Sequence, residues 1–241
     1  MHSPFLKVSI LFALSFLANA RPQTQAEVAI GAVEDWVSSG NYLIYSCLSR
    51  APYVKDLLDL TYLYLQTAIL STDTPAYQAF FHTADPAVVT TILRAITAGA
   101  NWTTLDHVSS RPTLVCANDY DPGLGDFWAI CSKRPGLMLF QAANVPHIVA
   151  CPNFFEKTQA PQSADCGVVN HANTQLIGHT NVATTQYGFL VNELAMLYIR
   201  EKMPGQMLGF KEVGGLNQCL ALPPDRAVTN PASYAWFVAS M

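Results

Sequence analysis

The run Thr184-Thr185-Gln186-Tyr187-Gly188-Phe189-Leu190-Val191-Asn192-Glu193-Leu194-Ala195-Met196-Leu197-Tyr198 decides how this chain is read. It is too long for a strand and apolar on nearly every side, so it reads as a buried helix, placed here over residues 182–203. Within it, Asn192 and Met196 stand at i and i+4 on one helix face, with Glu193 beside them. That spacing lets a helix offer two side chains to one ion. Here the two are an amide and a thioether.

In a helical H-E-x-x-H motif, two histidines at this spacing grip zinc and the glutamate is general base on the metal-bound water. The glutamate is present as Glu193, but both ligand positions are changed. Zinc prefers imidazole, thiolate and carboxylate, whereas a thioether suits copper(I) and an amide oxygen binds zinc weakly. Glu193 has an equally simple role as a half-buried helix acid paired with a neighbour.

The start of the chain reads as a secretory signal peptide over residues 1–20: Lys7, the apolar run Val8 to Leu17, then Ala18-Asn19-Ala20 before Arg21-Pro22. That apolar run is too short to span a membrane. Residues 21–241 are expected to form a single domain in a secreted, extracellular protein. Charged residues make up 12 % and apolar ones 51 %, a balance that argues for a packed core over disorder. A net charge of −4 gives no case for nucleic acid or anionic membranes as partners.

The 6 cysteines, Cys47, Cys116, Cys131, Cys151, Cys166 and Cys219, contain no C-x-x-C and are expected to form disulfides in an oxidising compartment. Their spacing does not choose the pairing. Asn101-Trp102-Thr103 is a glycosylation sequon.

Residues 26–100 read as helical. Ala26 to Ser38 has a helical spacing of apolar residues, stopped by Ser39-Gly40. Asp56 to Leu70 forms a second helix; Thr74-Pro75 and Asp85-Pro86 open a third and a fourth, the last stopped by Gly99. Over 112–151, three β-rich runs read as a small antiparallel sheet: Thr113 to Cys116, Phe127 to Cys131, and His147 to Cys151. Pro152 to Asn181 reads mostly as loop. A closing helix spans 230–240, with Asn230 as N-cap.

Several of these stretches together resemble the deuterolysin (aspzincin) family of secreted fungal zinc endopeptidases, including its lysine-specific branch. They are Thr74-Pro75-Ala76-Tyr77-Gln78-Ala79-Phe80-Phe81 with Asp85-Pro86, Cys151-Pro152-Asn153-Phe154-Phe155, Val191-Asn192-Glu193-Leu194, and the tail Asn230 to Phe237. The resemblance implies an α+β, zincin-like metallopeptidase fold, mostly helical, with a small sheet and a central active-site helix. It further implies that Asn192 and Met196 stand at the two histidine ligand positions and that Glu193 is the retained general base. Gly209 to Gly215 resembles the family stretch that supplies a third, aspartate ligand, which makes Glu212 the candidate stand-in. Ala232 replaces an aspartate of the family's tail helix. The family's sequential pairing implies Cys47–Cys116, Cys131–Cys151 and Cys166–Cys219.

With two of three ligands replaced, no metal is expected. The function expected is that of a catalytically inactive pseudoprotease, binding a peptide or protein in the old cleft. The alternative is an active zinc metalloendopeptidase with non-standard ligands, drawn from Glu193, Glu212, His171 or His179. A structural cell-wall role is a further reading without specific support. No G-x-S-x-G and no carboxylate pair point to another hydrolase.

Overall fold

The computed structural model describes residues 36–103, 109–142, 145–157, 185–206 and 211–241. These belong to one packed unit, Asp35–Met241.

The chain begins with a hairpin. β1 (Trp36–Ser39) pairs antiparallel with β2 (Tyr42–Tyr45), and Gly40, at φ +56°, makes the reversal. The helix expected over 26–38 is therefore corrected at its end. Residue-for-residue pairing from Trp36↔Tyr45 to Ser39↔Tyr42 overrides the local apolar spacing. Residues 26–35 lie outside the described residues.

Three helices follow, two started where their residues suggest and the first starting at Ala51, five residues before the expected Asp56. α1 (Ala51–Ile69) has a proline in its first turn. α2 (Pro75–Phe81) is capped by Thr74, whose side chain accepts from the Tyr77 amide, and α3 (Pro86–Ala98) by Asp85, which accepts from the Ala87 amide. Gly99 ends α3 in the left-handed region at φ +55°. A Cβ there would meet the Tyr42 ring at 3.0 Å, so close packing as well as backbone geometry requires glycine.

After the short pair β3 (Trp102–Thr103) and β4 (Ser109–Ser110) come β5 (Thr113–Cys116), α4 (Gly125–Lys133), β6 (Leu139–Gln141), β7 (His147–Ala150) and α5 (Pro152–Lys157). The sheet order is β1-β2-β5-β7-β6, with β2, β5 and β7 parallel and antiparallel strands at both edges. The expected antiparallel sheet is thus mixed. The long helical crossover from β2 to β5 is what lets those strands run the same way. Phe127 to Cys131, expected as a strand, is the core of α4. Its aromatic, β-rich composition yields to an Asp121-capped turn, in which Asp121 accepts from the Gly123 amide, and to packing against the sheet.

Strand alternation sorts the core into two layers. Ile44, Leu114 and Ile148, in register across β2, β5 and β7, face the main core with α1, α3 and two later helices. Val115 and Val149 face the other way, onto Leu124 and Cys131. Two disulfides fasten this arrangement: Cys47–Cys116 joins the ends of β2 and β5, and Cys131–Cys151 pins α4 to the end of β7. The third expected bridge has one of its two cysteines among the described residues. Cys219 is a buried free thiol, and Cys166 lies outside the described residues.

The remaining elements are α6 (Gln186–Lys202), α7 (Leu216–Leu220), α8 (Pro224–Ala227) and α9 (Pro231–Ala239). Thr185 caps α6 by accepting from the Gly188 amide, and Pro204 follows its end. Leu190, Val191, Ala195, Tyr198 and Ile199 are fully buried against α1, α3 and α9. α9 is buried almost all round, with Phe81 of α2 edge-on to Tyr234 and Phe237. The fold is α+β, with the apolar run of 186–199 at its centre. Among the described residues, no helix is long and apolar enough to cross a membrane.

Candidate functional site

From Gln186 to Arg200, α6 is buried except along one stripe. Phe189, Asn192, Glu193 and Met196 are partly exposed and Arg200 is exposed, which is one helix face read at i, i+3, i+4, i+7 and i+11. This face carries Asn192, Glu193 and Met196, the three motif positions singled out from the helix's own sequence.

Two further elements converge on it. β6, at the sheet edge, sends Gln141 to α6: its Nε2 donates to the Glu193 carbonyl, and its Oε1 accepts from Arg200 Nη1 at 2.9 Å. From the other side comes Glu212, on the stretch before α7. That stretch is held from α9. Asn230 Oδ1 accepts from the Val213 amide at 3.1 Å, and its Nδ2 donates to the Val213 carbonyl at 3.1 Å. Trp236 Nε1 donates to the Gly214 carbonyl at 3.0 Å. Glu212 is thereby presented to the α6 stripe by a fully buried asparagine.

The electrostatics follow from these neighbours. Burial pushes the Glu193 carboxyl up to about 7, and the negative charge of Glu212 adds to the rise; the Asn192 amide and Arg200 oppose it. Glu212 is also raised by desolvation, although its residue is exposed, and the same Asn192 and Arg200 oppose that shift. Asn192 thus serves both carboxylates. At neutral pH Glu193 is divided between its acid and its anion, so the cluster can hold and release a proton.

Asn230 reaches two more groups, donating to Ser233 Oγ at 3.0 Å and to Cys219 Sγ at 3.4 Å. Burial raises the Cys219 thiol to about 11, which keeps it protonated and unreactive. Asn230 was expected as an N-cap. It does precede α9, but its side chain is spent on Val213, Cys219 and Ser233 and not on the helix's own amides.

The structure therefore brings together Asn192, Glu193 and Glu212 and leaves Met196 on the same face. Ala232 lies buried in α9, and Asn101 is exposed where α3 gives way to β3. His107, Asp165, Cys166, His171, His179, Gly209 and Phe210 lie outside the described residues. His147 sits at the start of β7, where burial lowers its pKa and favours the neutral ring. Gln141 and Arg200 were not singled out from the sequence. Arg200 carried a signal, seven residues after Glu193 on the same face; Gln141 carried none.

The donor set does not fit a catalytic zinc. Among the described residues, the stripe and its neighbours offer an amide, a thioether and two carboxylates, one of them half-protonated near neutrality, and no imidazole. Among the described residues, no three His, Cys, Asp or Glu side chains are grouped to hold a metal ion.

No family model matches this chain, and no curated protein matches it. Among solved structures it is similar to a zinc peptidase from Grifola frondosa, at 13 % identity over 76 % of this chain and 90 % of that chain, with a TM-score of 0.44. At this level no residue role is carried across.

Proposed function

We propose that this chain is a secreted, metallopeptidase-like scaffold that does not hydrolyse peptides, and that it binds a peptide or protein segment over the α6 stripe. The observation that carries the reading is the Asn192 side chain. At a position where H-E-x-x-H would place an imidazole, an amide interacts with both Glu193 and Glu212. The Asn192 amide and the Arg200 charge favour the ionised form of both carboxylates, and Met196 offers zinc a poor donor. Secretion is supported by the two disulfides, which persist in oxidising compartments. They also fasten the sheet and α4 independently of any metal.

The test is proteolysis of a reduced, denatured protein substrate by the purified chain, with and without added zinc. No cleavage above that of a Glu193→Ala control is expected. Zinc-dependent cleavage that this substitution removes would overturn the proposal.

One observation favours the alternative of an active enzyme with non-standard ligands. A carboxyl with a pKa of about 7 suits general acid–base work at neutral pH. The same assay decides it: chelator-sensitive cleavage, lost in Glu193→Ala, is its signature.

A further inference from the structure

Away from the α6 stripe, the β1–β2 hairpin, α1 and the end of α3 enclose an open recess of about 280 Å³. Its floor is apolar: Leu58, Leu65, Ile96 and Leu194 are all nearly fully buried. Its rim carries Asp59 and Tyr62, both on α1, with the Tyr62 ring 47 % exposed.

Most of the polar side chains in the lining are already committed inside the protein. The Tyr42 hydroxyl donates to the Ile96 carbonyl, Thr61 Oγ1 to Leu57 at 2.7 Å, Thr97 Oγ1 to Leu93 at 2.7 Å, and Asn41 Nδ2 to Ala98 at 3.0 Å. Asp59 is the charged residue of the lining. Ser39 Oγ donates to its Oδ1 at 2.9 Å, and Lys55 Nζ lies 2.6 Å from its Oδ2. A carboxylate has about four acceptor positions, so capacity remains after these two.

Lys55 shows what this carboxylate takes. An ammonium sits on it from outside the recess, and both side chains of that pair are about half exposed, at 46 % and 54 %. Such a pair is weak and readily exchanged. The mouth is preformed: Arg111 donates from Nε to the Asn41 carbonyl at 2.8 Å and from Nη2 to the Gly40 carbonyl at 3.2 Å, fixing the hairpin turn.

We infer that this recess is a binding site for a small organic cation, a primary amine on an apolar or aromatic body. The body packs on Leu58, Leu65, Ile96 and Leu194. The ammonium meets Asp59 in place of Lys55 and lies beside the Tyr62 ring, whose face attracts cations. The volume limits the ligand to a small molecule.

The test is calorimetric titration of the full chain at pH 7 with 2-phenylethylamine, with 2-phenylethanol as its neutral analogue and 3-phenylpropionate as an anion. Saturable binding of the amine is expected, with the alcohol weaker by about tenfold or more and the anion not bound. Asp59→Asn should bring the amine down to the level of the alcohol. Lys55→Ala, which removes the internal competitor, should tighten it. Ala98→Trp, at an exposed lining position, should block both amine and alcohol. An amine that does not bind the wild-type chain, an alcohol that binds as tightly, or amine binding unchanged in either Asp59→Asn or Ala98→Trp would overturn the inference.

Discussion

Asn230 grips Val213 by both backbone groups, accepting from its amide and donating to its carbonyl, each at 3.1 Å and across 17 residues of chain. The side chain thus mimics a strand partner, and in doing so fixes the position of Glu212. Because Asn230 is fully buried, removing it leaves the Val213 groups without these partners. Asn230→Ala is expected to cost about 2–4 kcal/mol, the sum of lost bonds and stranded polar groups. Denaturant unfolding measures that cost. A cost within a few tenths of a kcal/mol would mean that the clamp is dispensable.

Glu193 gives the pH dependence. Its folded pKa, about 7, lies above the unfolded carboxyl value, so between about pH 4.5 and 7 the folded state binds more protons than the unfolded. Stability contributed by this group is therefore present at low pH and lost as pH rises through that window. The loss is on the order of 2–3 kcal/mol at most, since the side chain retains some solvent access. Glu193→Gln should flatten the profile between pH 5 and 7.5 relative to wild type. A parallel profile in the variant would place the titration elsewhere.

The disulfides should rank by the chain they enclose. Cys47–Cys116 closes 69 residues and Cys131–Cys151 closes 20. In the chain-entropy model these are worth about 4 and about 3 kcal/mol. Paired alanine substitutions, compared by unfolding, should show the larger loss at Cys47 and Cys116. The reverse order would point to strain or to residual structure in the unfolded chain.

Gly99 meets two restrictions at once, a left-handed backbone at φ +55° and a 3.0 Å approach of any Cβ to the Tyr42 ring. Gly99→Ala is expected to destabilise by about 1–3 kcal/mol, measured as a fall in Tm. The neighbouring hairpin should shift with it, visible as changed amide exchange at Tyr42 and Leu43.

Elements with local chemistry were legible in the sequence. Thr74 and Asp85 cap the helices that their Thr-Pro and Asp-Pro pairs open, and Gly99 stops α3; the central helix starts at Gln186, four residues after the expected 182. The central helix declared itself by its length and its apolar character. What failed depended on partners far along the chain. Trp36 to Ser39 has a helical apolar spacing but pairs with β2, and Phe127 to Cys131 has strand composition but forms α4 against the sheet. The parallel centre of the sheet follows from a crossover that no short window contains. At the site, the Asn192 and Glu193 positions and Glu212 were readable as candidates. The Val213 clamp was not, because a buried asparagine before a proline has the same local signature as an ordinary N-cap.

Metal content tests most directly whether the α6 face takes catalytic zinc, which the proposed function denies. The chain, purified from a secreting host with zinc supplied, is analysed by mass spectrometry. Less than about a tenth of a zinc per chain is the expected result, because the amide of Asn192 and the thioether of Met196 are weak donors for zinc. Close to one zinc per chain, lost on Glu193→Ala, would contradict it.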